Sequence, residues 1–197
     1  MVVAQVHGLV TPSDGPRQSR LYRELQDLLE QLRQDVASRW NRTLPSGDYL
    51  VDRWDKARRL GFGEGASVYD SSLVLGDVTV GAQTWVGPFT VLDGSGGLEI
   101  GDHCSISAGV QIYSHDTVDW AISGGLAEAR RAPTRIGSNC YIGPNTIIAK
   151  GVTIGEGCVI GALSLVLDDV PARSRAYGIP SRVVGTVSTP PGTRPDK

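Results

Sequence analysis

The sequence predicts a mainly β fold in which the chain coils around a triangular prism, and three observations predict it. The chain of 197 residues carries 25 glycines but only two Phe and one Met, where an average glycine content of roughly 7% would give about 14. Every sixth residue from Val68 is aliphatic: Val74, Val80, Val86 and Leu92, then, past a two-residue glycine-rich insertion, Ile100, Ile106 and Ile112. The series resumes at Ile136 and runs without a break through Ile142, Ile148, Ile154, Ile160 and Val166. Seven of these anchors are followed at once by glycine, as in Ile136-Gly137 and Ile160-Gly161. A short strand ending in a glycine-permitted turn every six residues wraps a chain around three walls. Eighteen residues then close one coil, and coils stack at the strand spacing of about 4.8 Å.

Length allows one sizeable domain. Residues 1–16 read as an N-terminal tail. Over 17–43, Leu21, Leu25, Leu28, Leu29, Leu32, Val36 and Trp40 recur at helical spacing, which predicts an amphipathic helix. Such a helix suits a cap over the exposed end of the prism, or an oligomer surface. Leu44-Pro45-Ser46-Gly47 stops it, and 44–65 is expected as a connector. The prism occupies 66–187. Along it, the position two before each anchor also faces inward, and there stand small or β-branched residues such as Thr84, Thr90, Thr134 and Thr146. Cys104, Cys140 and Cys158 all fall in this slot, so they read as small buried hydrophobes rather than nucleophiles or metal ligands. The tail 188–197, with Pro190, Pro191 and Pro195, reads as disordered.

The period fails once. Between Ile112 and Ile136 the in-register positions are Val118, Gly124 and Arg130, and an arginine in a narrow apolar interior would be an uncompensated buried charge. The chain is therefore expected to leave the prism after Ile112 as an external loop, 117–134, carrying Trp120 and Arg130-Arg131. Long loops on a regular scaffold commonly carry function. Ser114-His115-Asp116 stands immediately before it. His103, at a hexad turn, and His7, in the N-terminal tail, are expected to be exposed.

Composition excludes several classes. A net charge of −2 supplies no field to recruit nucleic acid. No apolar run approaches the length of a membrane span. Met1–Val10 makes a poor secretory signal, and an odd cysteine count without CxxC spacing fits a reducing compartment. The expected location is cytoplasmic. No GxSxG elbow, P-loop or GxGxxG turn is present.

The run Ile136-Gly137 through Ile160-Gly161 resembles the hexapeptide-repeat acyltransferases, a likeness that covers about residues 66–185. The resemblance implies a left-handed parallel β-helix, a hand opposite to the general preference of parallel crossovers. Within that family the sequence is similar to the maltose/galactoside and polysaccharide O-acetyltransferases, in which a histidine precedes an external loop. The implied roles are His115 as catalytic base, with Asp116 or Asp119 candidates to orient its ring, and acetyl-CoA as acyl donor without a metal. Imidazole suits the task because an alcohol is a poor nucleophile until its proton is removed. Asp93, beside Gly94-Ser95-Gly96-Gly97, aligns with an aspartate that binds acceptor hydroxyls, its carboxylate exposed by a bulge. Asp116 and Trp120 join it as expected acceptor-binding residues. Gly143, Ala162 and Arg182 match the coenzyme A region, and Arg173, with Arg175, is the candidate to supply a cation that the family draws from a lysine. One departure is Leu167-Asp168-Asp169 where the family commonly has Thr-Lys-Asp. The resemblance also implies a homotrimer with active sites between subunits and a small sugar acceptor.

The expected function is therefore acetyl transfer from acetyl-CoA to a hydroxyl of a sugar or glycan precursor. A nucleotide-sugar N-acetyltransferase or a serine acetyltransferase remains an alternative on the same fold. A zinc carbonic anhydrase needs three histidine ligands where the prism holds only His103 and His115. A non-catalytic β-helix scaffold is the third alternative.

Overall fold

The computed structural model of the protein describes residues 19–188. The tail 1–16, with His7, and all but the first residue of 188–197 lie outside the described residues. The chain divides into two compact units on either side of the Leu50–Val51 bond.

In the first unit, α1 (Arg20–Trp40) forms within the predicted 17–43 span. The Ser19 hydroxyl accepts from the Tyr22 N–H at 3.1 Å, satisfying one of the free donors of the first turn. Asn41, in the left-handed region, returns its N–H to Ala37 and ends the helix. A short α2 (Ser46–Leu50) follows Pro45.

The second unit is the prism. Its N-terminal end carries α3 (Arg53–Arg59), in the segment expected as a plain connector. Asp52 caps this helix by accepting from the N–H groups of Trp54 and Asp55. Ala57 is fully buried in the prism core, and Lys56 Nζ donates to the carbonyls of Tyr69, Asp70 and Ser72, each at 3.0 Å. These bonds hold α3 over the first coil, where it shields apolar interior that would otherwise face water.

The first coil is β1 (Ser67–Val68) and β2 (Leu73–Val80), and the second is β3 (Trp85–Val86) and β4 (Val91–Ile100). The third opens with β5 (Ser105–Ile106) and β6 (Gln111–Ile112). It is interrupted by an excursion with β7 (His115–Asp116), α4 (Val118–Ile122) and β8 (Arg130–Arg131), then resumes as β9 (Thr134–Ile136). The fourth is β10 (Tyr141–Ile142), β11 (Ile147–Ile148) and β12 (Thr153–Ile154). In the fifth, β13 (Val159–Ile160) and β14 (Leu165–Val166) are followed by a single bridge from Val170 to Ile154. A hairpin of β15 (Ser174–Gly178) and β16 (Ser181–Thr186) closes the stack. Pairing between coils is parallel and in register: Tyr141 meets Val159 and Ile147 meets Leu165, each eighteen residues on. The fold is thus a parallel β-solenoid of about six turns.

Thirteen of the fourteen anchors are buried, and Val74 is half-buried against the same core. The inward hydroxyls turn to the corners: Thr84 Oγ1 donates to the Gly101 carbonyl and Thr146 Oγ1 to that of Gly161. Cys104, Cys140 and Cys158 are buried in the inward slot as expected, free, with each thiol directed at a backbone carbonyl. The neighbouring Cys104 and burial push the Cys140 thiol up, so it stays protonated near neutral pH.

The glycines after the anchors serve a different purpose from the one their position suggests. The left-handed residue of each turn comes two positions later, in a column that includes Gln83, His103, Asn139, Gly157 and Arg173. Gly137 and Gly143 instead mark where adjacent coils pass closest. A Cβ on Gly143 would lie 2.4 Å from the Ala162 nitrogen, and one on Gly137 2.6 Å from that of Glu156. Backbone cannot yield as a side chain can.

Gly137→Ala is expected to lower unfolding free energy by more than about 1 kcal/mol, whereas Gly185→Ala, which meets nothing within 4 Å, should stay within about 0.5 kcal/mol of the parent. Ile148→Ala should cost about 2–5 kcal/mol through the cavity it leaves. Urea unfolding of the three variants measures both expectations.

Candidate active site

The corner after the second wall is where the chain breaks its period twice. β4 carries the extra glycine-rich segment there, and its pairing with β2 shifts register between Gly76 and Val78. One coil later the excursion leaves from the same corner, after Ile112. What was expected as a loop is a two-stranded antiparallel ribbon, with His115 opposite Arg131 and Asp116 opposite Arg130, closed by α4. The ribbon sits on the β4 bulge. Gly96 N–H donates to Ser114 Oγ at 2.8 Å, and a Cβ on Gly96 would stand 2.3 Å from the Ser114 carbonyl oxygen. Glycine at 96 is what lets the ribbon approach.

Two carboxylates expected near the imidazole are engaged elsewhere. Asp116 pairs with Lys150 at 2.8 Å, and the Lys150 ammonium holds its carboxyl below the usual range. Asp119 pairs with Arg130 through both oxygens. The group that reaches the ring is Asp93, whose Oδ2 lies 2.5 Å from His115 Nδ1. Asp93 was expected to present an exposed carboxylate to an acceptor; its residue is 1% exposed. It lies just before the bulge, covered by the ribbon, where Oδ1 accepts from the Ser95 hydroxyl at 2.6 Å and the Ser95 N–H at 3.1 Å. Oδ2 also accepts from the Ser114 N–H at 3.0 Å.

These donors decide its charge. Burial by itself pushes the Asp93 pKa up, but the Ser95 hydroxyl, the Ser114 N–H, His115 and the Ser95 N–H together outweigh it and hold the carboxyl at about 2. An ionised Asp93 can only accept, so His115 Nδ1 is the donor of the bond between them. The ring side chain is 31% exposed, and it borders a groove of about 580 Å³. Tyr113, Ile147, Ala149 and Leu167 supply apolar walls, and Asp116 and Lys150 a charged rim. The arrangement is a half-buried histidine whose Nδ1 meets a buried carboxylate, beside an open groove with apolar walls.

The other expected residues are dispersed. Trp120 lies on α4, half exposed and outside the groove lining. Gly143 and Ala162 stack at the corner between the first and second walls, while Arg173 belongs to the column of left-handed turns between the third and first. Arg182, in the closing hairpin, meets Asp168 at 3.4 Å, one residue from Leu167 of the groove. The acidic residue that departs from the family pattern thus has a cation beside it. Ser95, Ser114 and Lys150 escaped sequence reasoning. Lys150 was accessible through register, since it follows Ile148 as Ser114 follows Ile112, and those two anchors are paired. Among the described residues, no group of three or more His, Cys, Asp or Glu is placed to hold a metal ion, and no helix is long and apolar enough to cross a membrane.

The depressed Asp93 pKa is also a stability statement. Its folded value lies below its unfolded one, so the contribution is complete above about pH 4 and is lost as pH falls toward about 2, some ~2 kcal/mol in all. Asp93→Asn should remove this part of the acid slope in urea unfolding measured from pH 6 down; an unchanged slope would place the sensitivity elsewhere.

Residues 133–168 match the family described as bacterial transferase hexapeptide (six repeats). The galactoside O-acetyltransferase of Escherichia coli (strain K12) is 29% identical over 130 residues, which are 56% of this chain and 64% of that protein. A provisionally named acetyltransferase of Staphylococcus aureus (strain COL) is 49% identical over 55 residues, 28% of each chain. The chain therefore spans less than two thirds of the length of these curated relatives. Among solved structures, a hexapeptide-repeat acetyltransferase of Vibrio cholerae O1 biovar eltor, complexed with acetyl coenzyme A, superposes with a TM-score of 0.61 at 24% identity. That superposition covers 88% of this chain and 92% of that one. An N-acyltransferase of Bacillus cereus, complexed with dTDP and 3-hydroxybutyryl-CoA, gives 0.59 at 24% identity over 64% and 72%. At such identities the likeness is one of fold. With its six-residue repeat, its stacked parallel coils and the match at 133–168, the chain is a hexapeptide-repeat protein built on the fold of the hexapeptide-repeat acetyltransferases.

Proposed function

We propose that the protein is an acetyl-CoA-dependent O-acetyltransferase acting on a hydroxyl of a sugar or glycan precursor. The observation that carries the reading is the Asp93–His115 pair, 2.5 Å apart, at the edge of the groove. The partial match to a galactoside O-acetyltransferase supports the same chemistry.

In this reading His115 Nε2 takes the proton of the acceptor hydroxyl as that oxygen attacks the thioester carbonyl. Asp93 stabilises the imidazolium that forms, and its two bonds from Ser95 and one from Ser114 keep it ionised while it does so. His115 then returns the proton to the departing thiolate, so the base is regenerated and the products are an ester and a free thiol. Ile147 and Ala149 on the fourth coil and Leu167 on the fifth form an apolar track suited to the acyl group and pantetheine arm of the donor. Gly143, Ala162 and Arg182 are the further positions that the family likeness assigns to coenzyme A, with Arg173 and Arg175 as candidate replacements for the missing lysine, and Arg182 pairs with Asp168 beside Leu167 of the groove. The groove is open to solvent, which suits a site completed by a neighbouring subunit of the homotrimer that the likeness implies.

Thiol release from acetyl-CoA in the presence of a sugar panel tests the reading. His115→Ala is expected to lower the rate by about 10²–10⁴ with circular dichroism unchanged. Full activity in that variant would remove the base assignment, and turnover confined to amino sugars would move the reading to N-acetylation.

A further inference from the structure

The ribbon divides the site into two sides, and its charges are not evenly spent. Directly opposite residues of an antiparallel pair project to the same face. His115 and Arg131 therefore share one face of the β7–β8 ribbon, while Asp116 and Arg130 share the other. The Ala132 N–H donates to the Ser114 carbonyl at 2.9 Å, so His115 and Arg131 form the non-hydrogen-bonded type of pair, in which side chains stand closest. A second observation agrees: His115 reaches down to Asp93 on the β4 bulge, and the Arg131 Cβ lies 3.2 Å from where a Cβ on Gly96 of that bulge would be.

On the Asp116 face, every cation has a carboxylate. Lys150 pairs with Asp116, and Arg130 with Asp119. On the His115 face the one buried carboxylate, Asp93, is saturated by Ser95, Ser114 and His115. Arg131 is exposed and has no ion-pair partner among the described residues. A guanidinium opposite a ring that becomes cationic during the reaction is an unfavourable neighbour, since like charges directly opposite repel. An anion bound between them reverses the sign. The apolar track, Lys150 and Asp116 share one groove with His115 and suit the donor, while Arg131 lies outside that lining, which leaves its side of the ring to the acceptor.

We infer that Arg131 is a specificity-determining residue that makes the acceptor side an anion subsite, so that the accepting sugar carries a carboxylate or phosphate close to the hydroxyl His115 deprotonates. This rests on the transferase reading for its chemistry but not for its binding geometry. Guanidinium is the group best matched to either anion, through paired N–H donors.

The test uses galactose, galacturonate and galactose 1-phosphate as probes on the full chain. Binding is followed by the imidazole NMR signals, of which the chain has three, from His7, His103 and His115. Turnover is followed by thiol release from acetyl-CoA. An anionic probe should shift the His115 signal at concentrations about 10–100-fold lower than galactose does, and Arg131→Gln should erase that advantage while Arg131→Lys keeps part of it. The two anionic probes distinguish a uronate from a phosphate. Equal binding of galactose and both anions, binding of none of the three, or an advantage that survives Arg131→Gln overturns the inference. Equal acetylation of all three probes overturns it while leaving the transferase reading intact. Anion binding lost in Arg131→Gln without any thiol release would do the reverse.

Discussion

At each corner of the prism, successive coils bring backbone against backbone at the spacing of a parallel ladder, about 4.8 Å. Everything else in the second unit depends on that approach. It requires residues without a Cβ at Gly81, Gly101, Gly137 and Gly155, each of which would otherwise meet the backbone of the next coil within 2.6 Å. It keeps the interior narrow, so that Ile and Val fill the anchor positions and Ser, Thr, Cys and Val the slot beside them. It also leaves no room inside for a side chain as long as arginine.

The site exists where that constraint is relaxed. The extra residues of β4 let the chain at Ser95–Gly97 depart from the ladder, and the excursion after Ile112 packs against this stretch. Asp93 is carried from the corner into a buried position whose polar neighbours are the backbone and hydroxyl of Ser95, the backbone of Ser114 and the His115 ring. A buried carboxylate is costly unless several donors converge on it. Here two irregular segments from successive coils provide them. The same stacking sets Ala149, Lys150 and Leu167 along one channel, because residues that follow paired anchors share a corner.

Much of the prism was legible in the sequence because a six-residue period is a one-dimensional signal: coil spacing, wall assignment and the inward cysteines all follow from counting. His115 was legible as the last residue before the period fails. The partner of the ring was not. Asp116 and Asp119 are near in sequence, but the ribbon turns Asp116 to Lys150 and α4 carries Asp119 to Arg130. Asp93 is twenty-two residues upstream, and only the packing of the ribbon on the β4 bulge brings the ring to it. The purpose of the glycines was misread for a related reason. A glycine after an anchor suggests a left-handed turn, whereas the left-handed residues stand two positions later and include Gln83, His103, Asn139 and Gly157, and closeness between coils is a property of the stack.

By itself the sequence determined what repeats: the walls, the anchors and the point where the chain leaves them, since each follows from local spacing along one strand after another. Only the tertiary structure decided what the departures do. The burial of Asp93, the pairing of Asp116 with Lys150 and the isolation of Arg131 beside His115 depend on which face of a two-residue ribbon each side chain takes. That choice is made by the bulge beneath the ribbon, one coil away in space.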